Sequence, residues 1–192
     1  IFDGSGTDYL CLISSLRAQG ATVGIIQKMK NENRVKRELF LCVGITKKDN
    51  FELVAQKATE LGAKCIIPVL CERSEKKNIN MDRLRKIVIE ASEQSGREDI
   101  PVIKNIVNLS DLLNSDLLPD KVISLDLEGK SINPIALEEN PMKIAVFVGP
   151  EGGWSEKEVL EFEKHNIPRI SLGKQVLRAE TAGIAVCSLL LI

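Results

Sequence analysis

The 192-residue chain predicts an α/β domain with a largely parallel sheet, preceded by a short β-rich segment. Three observations predict it. From Glu38 onward, short apolar runs alternate with stretches whose apolar residues recur at helical spacing. Before Lys30 the apolar runs are strand-like and are separated by a Gln19-Gly20 turn. Residues 30–36 between them are polar and read as a linker, so the expected division is 1–36 and 37–192.

The chain opens without methionine, in what reads as a strand at Ile1-Phe2, and turns at Asp3-Gly4-Ser5-Gly6, which suggests that residues precede it. Residues 9–16 and 21–29 are expected as β segments of a truncated β-rich unit. Residues 39–45 give the first strand of the second part. Asp49 is expected to cap a helix running to Leu61, with Phe51, Val54, Ala58 and Leu61 on one face and Gly62 as its stop. Residues 65–70 form the next strand. Residues 81–94 form a helix carrying Leu84, Ile87, Val88 and Ala91 inward and ending at Gly96. Strands are expected at 102–106, 121–127 and 143–148. Ser155 should cap a helix to Lys164, with Glu156 and Glu158 in the first turn, where the helix dipole favours them. Residues 169–172 give the last strand, and 180–192, apolar almost all round, a helix buried on several sides that reads as cut short at Leu190-Leu191-Ile192.

Composition narrows the function classes. With 44% hydrophobic and 28% charged residues the chain is a folded protein, and it lacks the run of about 18 apolar residues that a bilayer span requires. Five cysteines, odd in number, spread out and mostly set in apolar runs, suggest reduced core thiols in a cytoplasmic protein. There is no Cys-x-x-Cys, and His165 is the sole histidine, so no metal is expected. A net charge of -1 argues against a surface that grips nucleic acid everywhere, yet leaves room for local patches. Lys28, Lys30, Arg34, Lys36 and Arg37 make one concentration; Arg73, Lys76, Lys77, Arg83, Arg85 and Lys86 make another. Each is either a solvated face or a phosphate-contacting surface.

Two apolar runs end in glycine-bearing turns: Val146-Phe147-Val148-Gly149-Pro150-Glu151-Gly152-Gly153-Trp154, and Ser171-Leu172-Gly173 leading through Val176-Leu177-Arg178-Ala179-Glu180-Thr181-Ala182. Such turns let backbone groups approach a ligand closely, and two of them about twenty residues apart could line one pocket. Together with Lys57-Ala58-Thr59-Glu60-Leu61-Gly62, Ile67-Pro68, Glu72-Arg73-Ser74 and Glu90-Ala91-Ser92-Glu93-Gln94-Ser95-Gly96-Arg97, in that order and spacing, they resemble the family of S-adenosylmethionine-dependent methyltransferases that modify N3 of a uridine in 16S ribosomal RNA. That family belongs to the SPOUT, or trefoil-knot, superfamily. The resemblance runs from about Phe40 to the end, and the β-rich start resembles the family's PUA-like RNA-binding domain, here truncated.

The resemblance implies a knotted C-terminal segment and S-adenosylmethionine held between the two turns. Leu172, Gly173, Val176 and Leu177 would hold its adenine, and Gly149, Pro150, Glu151, Gly152 and Gly153 its ribose and amino acid parts. Arg178 would stabilise charge on the uracil oxygens, with Glu180 orienting it; a structural ion pair between these two is the alternative. Trp154 reads as packing under the loop. Lys28, Lys30, Arg34, Arg73, Gln94 and Arg97 would contact RNA, whether 16S rRNA or the 30S subunit. A homodimer through the knot helices is expected. Two rival readings are a ribose 2'-O-methyltransferase of the same superfamily, although Ser171-Leu172-Gly173 departs from its Ser-Leu-Asn type of loop, and a noncatalytic RNA-binding assembly factor.

Overall fold

Parallel strand pairing organises the protein. A computed structural model describes residues 1–33, 35–132 and 142–192. Among these, β1 (Thr7–Arg17) and β2 (Gly20–Lys30) form an antiparallel hairpin. A second, seven-stranded sheet is built from β3 (Glu38–Gly44), β4 (Cys65–Leu70), β5 (Val102–Ile103), β6 (Val107–Asn108), β7 (Val122–Ser131), β8 (Lys143–Val148) and β9 (Arg169–Ser171). Its order is β5-β4-β3-β8-β7-β9, with β6 also on β4, and every pairing is parallel. The helices are α1 (Lys48–Leu61), α2 (Met81–Ser95), α3 (Leu109–Leu113), α4 (Glu156–Lys164) and α5 (Ala179–Leu191).

Strand side chains alternate between two faces, and both faces are apolar because helices cover both. Leu39, Leu41 and Val43 of β3 and Ile144, Val146 and Val148 of β8 meet Phe51 and Val54 of α1, Leu84 and Val88 of α2, and Val186 of α5. The intervening Cys42, Ala145 and Phe147 face the other way, onto Leu112 of α3 and Phe162 of α4. Near-continuous hydrophobic strands are the direct sequence record of this burial.

Most expected elements are present, and the differences have local causes. Of the strand expected at 102–106 only Val102–Ile103 forms, as β5; β6 follows beyond it at Val107–Asn108, and each pairs with β4. The short helix α3 was not anticipated, since five residues carry too little periodicity to read. α1 starts one residue before Asp49, which lies in its first turn while Lys47 is the N-cap without a side-chain cap of its own. Gly62 ends α1 at φ 101°, and an added Cβ there would stand 2.2 Å from Val35 Cγ2, so this position needs glycine twice over. Ser155 caps α4 in a full capping box with Glu158. β7 runs on to Ser131 and breaks register against β9: Leu125 and Lys130 both pair with Ile170, so residues 126–129 leave the ladder and return to it.

The hairpin contains no buried residue; Leu12, Leu16 and Ile26 are all exposed. It is held to the α/β body by hydrogen bonds. Asn31, itself buried, donates through Nδ2 to Asp8, to Gly96 O and to Arg97 O, while Gly6 N donates to Glu98 O. Beneath this junction Arg97 donates to Thr59 O and to Asp99, and Lys64 reaches the other Asp99 oxygen at 2.6 Å.

Burial pushes the Asp99 carboxyl up, but hydrogen bonds from Lys64 and Arg97, with their charges, outweigh it and hold the group below its ordinary value. The folded state therefore binds this proton less readily than the unfolded chain. Asp99 stabilises the fold above about pH 4, its unfolded pKa, and that contribution is lost as pH falls through the lower folded value. Urea unfolding followed from pH 6 to pH 3 should show stability falling below about pH 4, with a shallower acid limb in Asp99→Asn.

Candidate active site

In a parallel α/β sheet, ligands bind beyond the carboxyl ends of the strands. Here the ends of β8 and β9 and the departing stretch of β7 enclose a cavity of about 410 Å³. Val148 through Glu151, with Gly153 and Trp154, form one wall. Ile170 through Gly173 and Gln175 through Arg178 form the facing wall; Leu125, Asp126 and Leu127 close the side, and Ala179 and Ala182 of α5 the base. The two glycine-bearing turns thus share one cavity. Of the expected cofactor contacts, Gly149, Pro150, Glu151, Gly153, Leu172, Gly173, Val176 and Leu177 line it, and so does Arg178. Gly152 does not: it is turned toward Arg73, whose Cβ would lie 2.9 Å from an added glycine Cβ.

The first turn is fixed from four directions. Glu151 Oε1 accepts from Lys47 N at 3.0 Å and Asn50 Nδ2 at 3.3 Å, tying the turn to the start of α1 and satisfying an amide there that has no side-chain cap. Arg73 donates to Gly152 O at 3.1 Å. Trp154 donates through Nε1 to Leu125 O at 2.9 Å, and its ring packs edge-on against Phe162 with centroids 4.9 Å apart. Gly44 closes the contact: a Cβ there would be 2.6 Å from Pro150 N. Trp154 is thus packing under the loop, as expected of it, and part of the cavity wall as well. Glu158 sets Arg73 in place, because its Oε2 completes the α4 capping box while its Oε1 accepts from Glu72 N at 2.8 Å.

Arg178 is the N-cap residue of α5, with its side chain 84% exposed. Glu180, two residues on, is buried and lies outside the cavity lining; its Oε1 is 3.9 Å from the Arg178 guanidinium, and its Oε2 has no hydrogen-bond partner. A contact so long to so exposed a partner is not a tight structural ion pair.

The residues expected to contact RNA are scattered. Lys28 and Lys30 are exposed on β2, Lys28 lying 5.8 Å from the Tyr9 ring centroid. Gln94 is exposed on the last turn of α2, near the junction where Asn33 bonds Ser95 O. Arg73 is exposed beside the cavity turn. Arg34 lies outside the described residues. Arg97 corrects the expectation: it is buried and its guanidinium is taken up by Thr59 O and Asp99, so it braces α1 and the hairpin junction and presents no charge to a polyanion.

Sequence reasoning missed Leu125 to Leu127 and Gly44. Asp126, a carboxylate set between leucines inside a strand-like run, was a readable signal; Gly44 gave none. All five cysteines are free, and burial pushes Cys65 up to about 11 and Cys71 and Cys187 to about 12, so these thiols stay protonated at neutral pH. Among the described residues, no three His, Cys, Asp or Glu side chains group as a metal site, and no helix is long and apolar enough to cross a membrane.

A family model described as RNA methyltransferase domain matches residues 32–191. The ribosomal RNA small subunit methyltransferase E of Mesomycoplasma hyopneumoniae (strain 232) is 34% identical over 166 residues, 83% of this chain and 72% of that protein. Its namesake in Rickettsia conorii is 34% identical over 187 residues, 96% of this chain and 76% of the relative. Among solved structures, the Neisseria gonorrhoeae protein of that name, bound to S-adenosylmethionine, matches with a TM-score of 0.86 at 29% identity, over 97% of this chain and 79% of its own. A Legionella pneumophila protein solved with the same cofactor matches with a TM-score of 0.89 at 28% identity, over 98% and 80%.

Gly44→Ala should destabilise the protein by about 1–3 kcal/mol, because the obstacle is Pro150 backbone and cannot rotate aside. Trp154 is the chain's only tryptophan, so urea unfolding read by its fluorescence reports both the loss and any displacement of the turn.

Proposed function

Because the chain belongs to the RNA methyltransferase family that includes the ribosomal RNA small subunit methyltransferases E, we propose that it methylates N3 of a uridine in 16S rRNA, using S-adenosylmethionine bound in the cavity between its two glycine-bearing turns. The observation that carries this reading is that both turns, distant in sequence, face each other across one cavity.

The residues present fit the cofactor. About 410 Å³ is within the range of roughly 300–1,000 Å³ for small-molecule sites. Leu172, Val176 and Leu177 offer an aliphatic bed for a flat purine, and Gly149, Gly153 and Gly173, with no side chains, let its ribose and amino acid parts come close to the backbone of both turns. When bound, the cofactor supplies an activated methyl group on a sulfonium. The protein's task is then alignment and handling of one proton, since a neutral imide nitrogen is a poor nucleophile. N3 is on the pairing edge of uracil, so the base must enter unpaired or flipped. Arg178, which lines the cavity at the N-cap of α5, stabilises negative charge on O2 or O4 as the N3 proton leaves. Glu180, with Oε1 3.9 Å from that guanidinium, orients it once the base is bound. Arg73, Gln94, Lys28 and Lys30 supply exposed polar and cationic groups for the RNA; Arg97 is left out of this set.

The finer architecture belongs to the same reading. α5 follows the second turn and returns against α1 and the central strands β3 and β8, as a C-terminal segment threaded into a trefoil knot would. Residues 1–36 serve as the RNA-binding PUA-like part, and the enzyme acts in the cytoplasm as a homodimer paired through its knot helices.

The test is incubation with labelled S-adenosylmethionine and 30S subunits or free 16S rRNA lacking the modification, followed by nucleoside analysis. Label on uridine N3 is expected; label on a ribose 2'-oxygen, or no cofactor binding at high micromolar concentration, would overturn the reading. Arg178→Ala should lower methyl transfer more than tenfold, about 1.4 kcal/mol or more in the barrier, with cofactor affinity nearly unchanged.

A further inference from the structure

Asp126 stands in the cavity wall although neither glycine-bearing turn contains it. Its side chain is 15% exposed and both its oxygens are engaged: Oδ1 accepts from Glu128 N at 2.9 Å, and Oδ2 from Arg169 at 3.1 Å. The carboxylate is therefore fixed in orientation. Arg169 is its partner, since the guanidinium's other contact, 4.0 Å to the exposed Glu128 Oε2, is loose. Arg169 is outside the cavity lining and Asp126 is within it. Two other charged residues line the described wall. Glu151 is held by Lys47 N and Asn50 on the exposed side of its turn, and the Arg178 side chain is mostly in solvent, where its field is screened. The Asp126–Arg169 pair therefore turns its negative member toward the cavity.

This bears on the reaction proposed above, and rests on it. Methyl transfer breaks the S–CH3 bond, leaves its electron pair on sulfur, forms the N3–CH3 bond and releases the N3 proton to solvent. Sulfur thus passes from a sulfonium cation to a neutral thioether while adenosine and amino acid parts are unchanged. Aliphatic and backbone contacts hold donor and product alike. A fixed, partly desolvated carboxylate does not: it favours the cation and gives the thioether no comparable help.

We propose that Asp126 is a specificity-determining residue that makes the cavity prefer S-adenosylmethionine over S-adenosylhomocysteine and so favours exchange of spent product for fresh donor. Binding of each compound is measured by quenching of Trp154 fluorescence, in the wild type, Asp126→Asn and Arg169→Gln. The wild type should bind the donor more tightly. Asp126→Asn should weaken donor binding about three- to tenfold while product binding stays within twofold, and Arg169→Gln, which unmasks the carboxylate, should widen the donor preference. Equal weakening of both compounds by Asp126→Asn, or a ratio unchanged in both variants, overturns this assignment and leaves the methyltransferase reading intact. A wild type that binds neither compound overturns both.

Discussion

The hydrogen bond from Trp154 Nε1 to Leu125 O joins the turn after β8 to the interior of β7, and the cavity depends on it. Leu125 is where β7 leaves its pairing with β9, so its carbonyl is near the point where ladder hydrogen bonding is interrupted. The indole satisfies that carbonyl while its ring fills the space above Phe162, where Phe147 also packs edge-on. Without this tie the side wall and the glycine turn would be separate loops. With it, Arg73 and Glu151 need only hold the far side of the turn, which they do through one hydrogen bond to Gly152 O and two at the start of α1.

The division of labour follows from how each group is held. Charged side chains near the cavity are mostly engaged in fixing backbone: Glu151 on Lys47 N, Glu158 on Glu72 N and Ser155 N, Asp126 on Glu128 N. Such carboxylates are preorganised, because their partners are amides that do not move. Arg178 is the contrast. It caps a helix with its backbone and leaves its guanidinium in solvent, free to follow a substrate that arrives from outside. A rigid cavity and an exposed arginine at its edge are compatible with the proposed reaction, whose donor binds in a formed cavity and whose acceptor is part of a large RNA.

The sheet was legible in the sequence because both its faces are covered, and residues such as 39–45 and 144–148 then carry no charged or polar side chain. Helix ends were legible wherever a side chain or glycine makes them, as at Ser155, Gly62 and Gly96. They were not at the start of α1, where the partner is Glu151, a residue about a hundred positions away. The same limit governs the site. Both turns could be read locally, but Gly44 matters only because Pro150 approaches it, and Arg97 resembles a surface cation until Thr59 and Asp99 are seen around it. Long-range contact decides those roles, and spacing along the chain carries no record of it.

The excursion of β7 at residues 126–129 separates two properties that a strand normally couples. In an ordinary ladder, one added residue slides the register and turns every later side chain to the opposite face. Here the strand leaves β9 at Leu125 and rejoins the same partner residue, Ile170, at Lys130, so the length between those points is not counted by the sheet. Gly129 lets the excursion lie against β9, since a Cβ there would stand 2.6 Å from the Arg169 backbone, while the exposed Leu127 and Glu128 can be substituted to alter the wall without moving the register on either side. The excursion is thus the natural place to begin when reshaping the site by design.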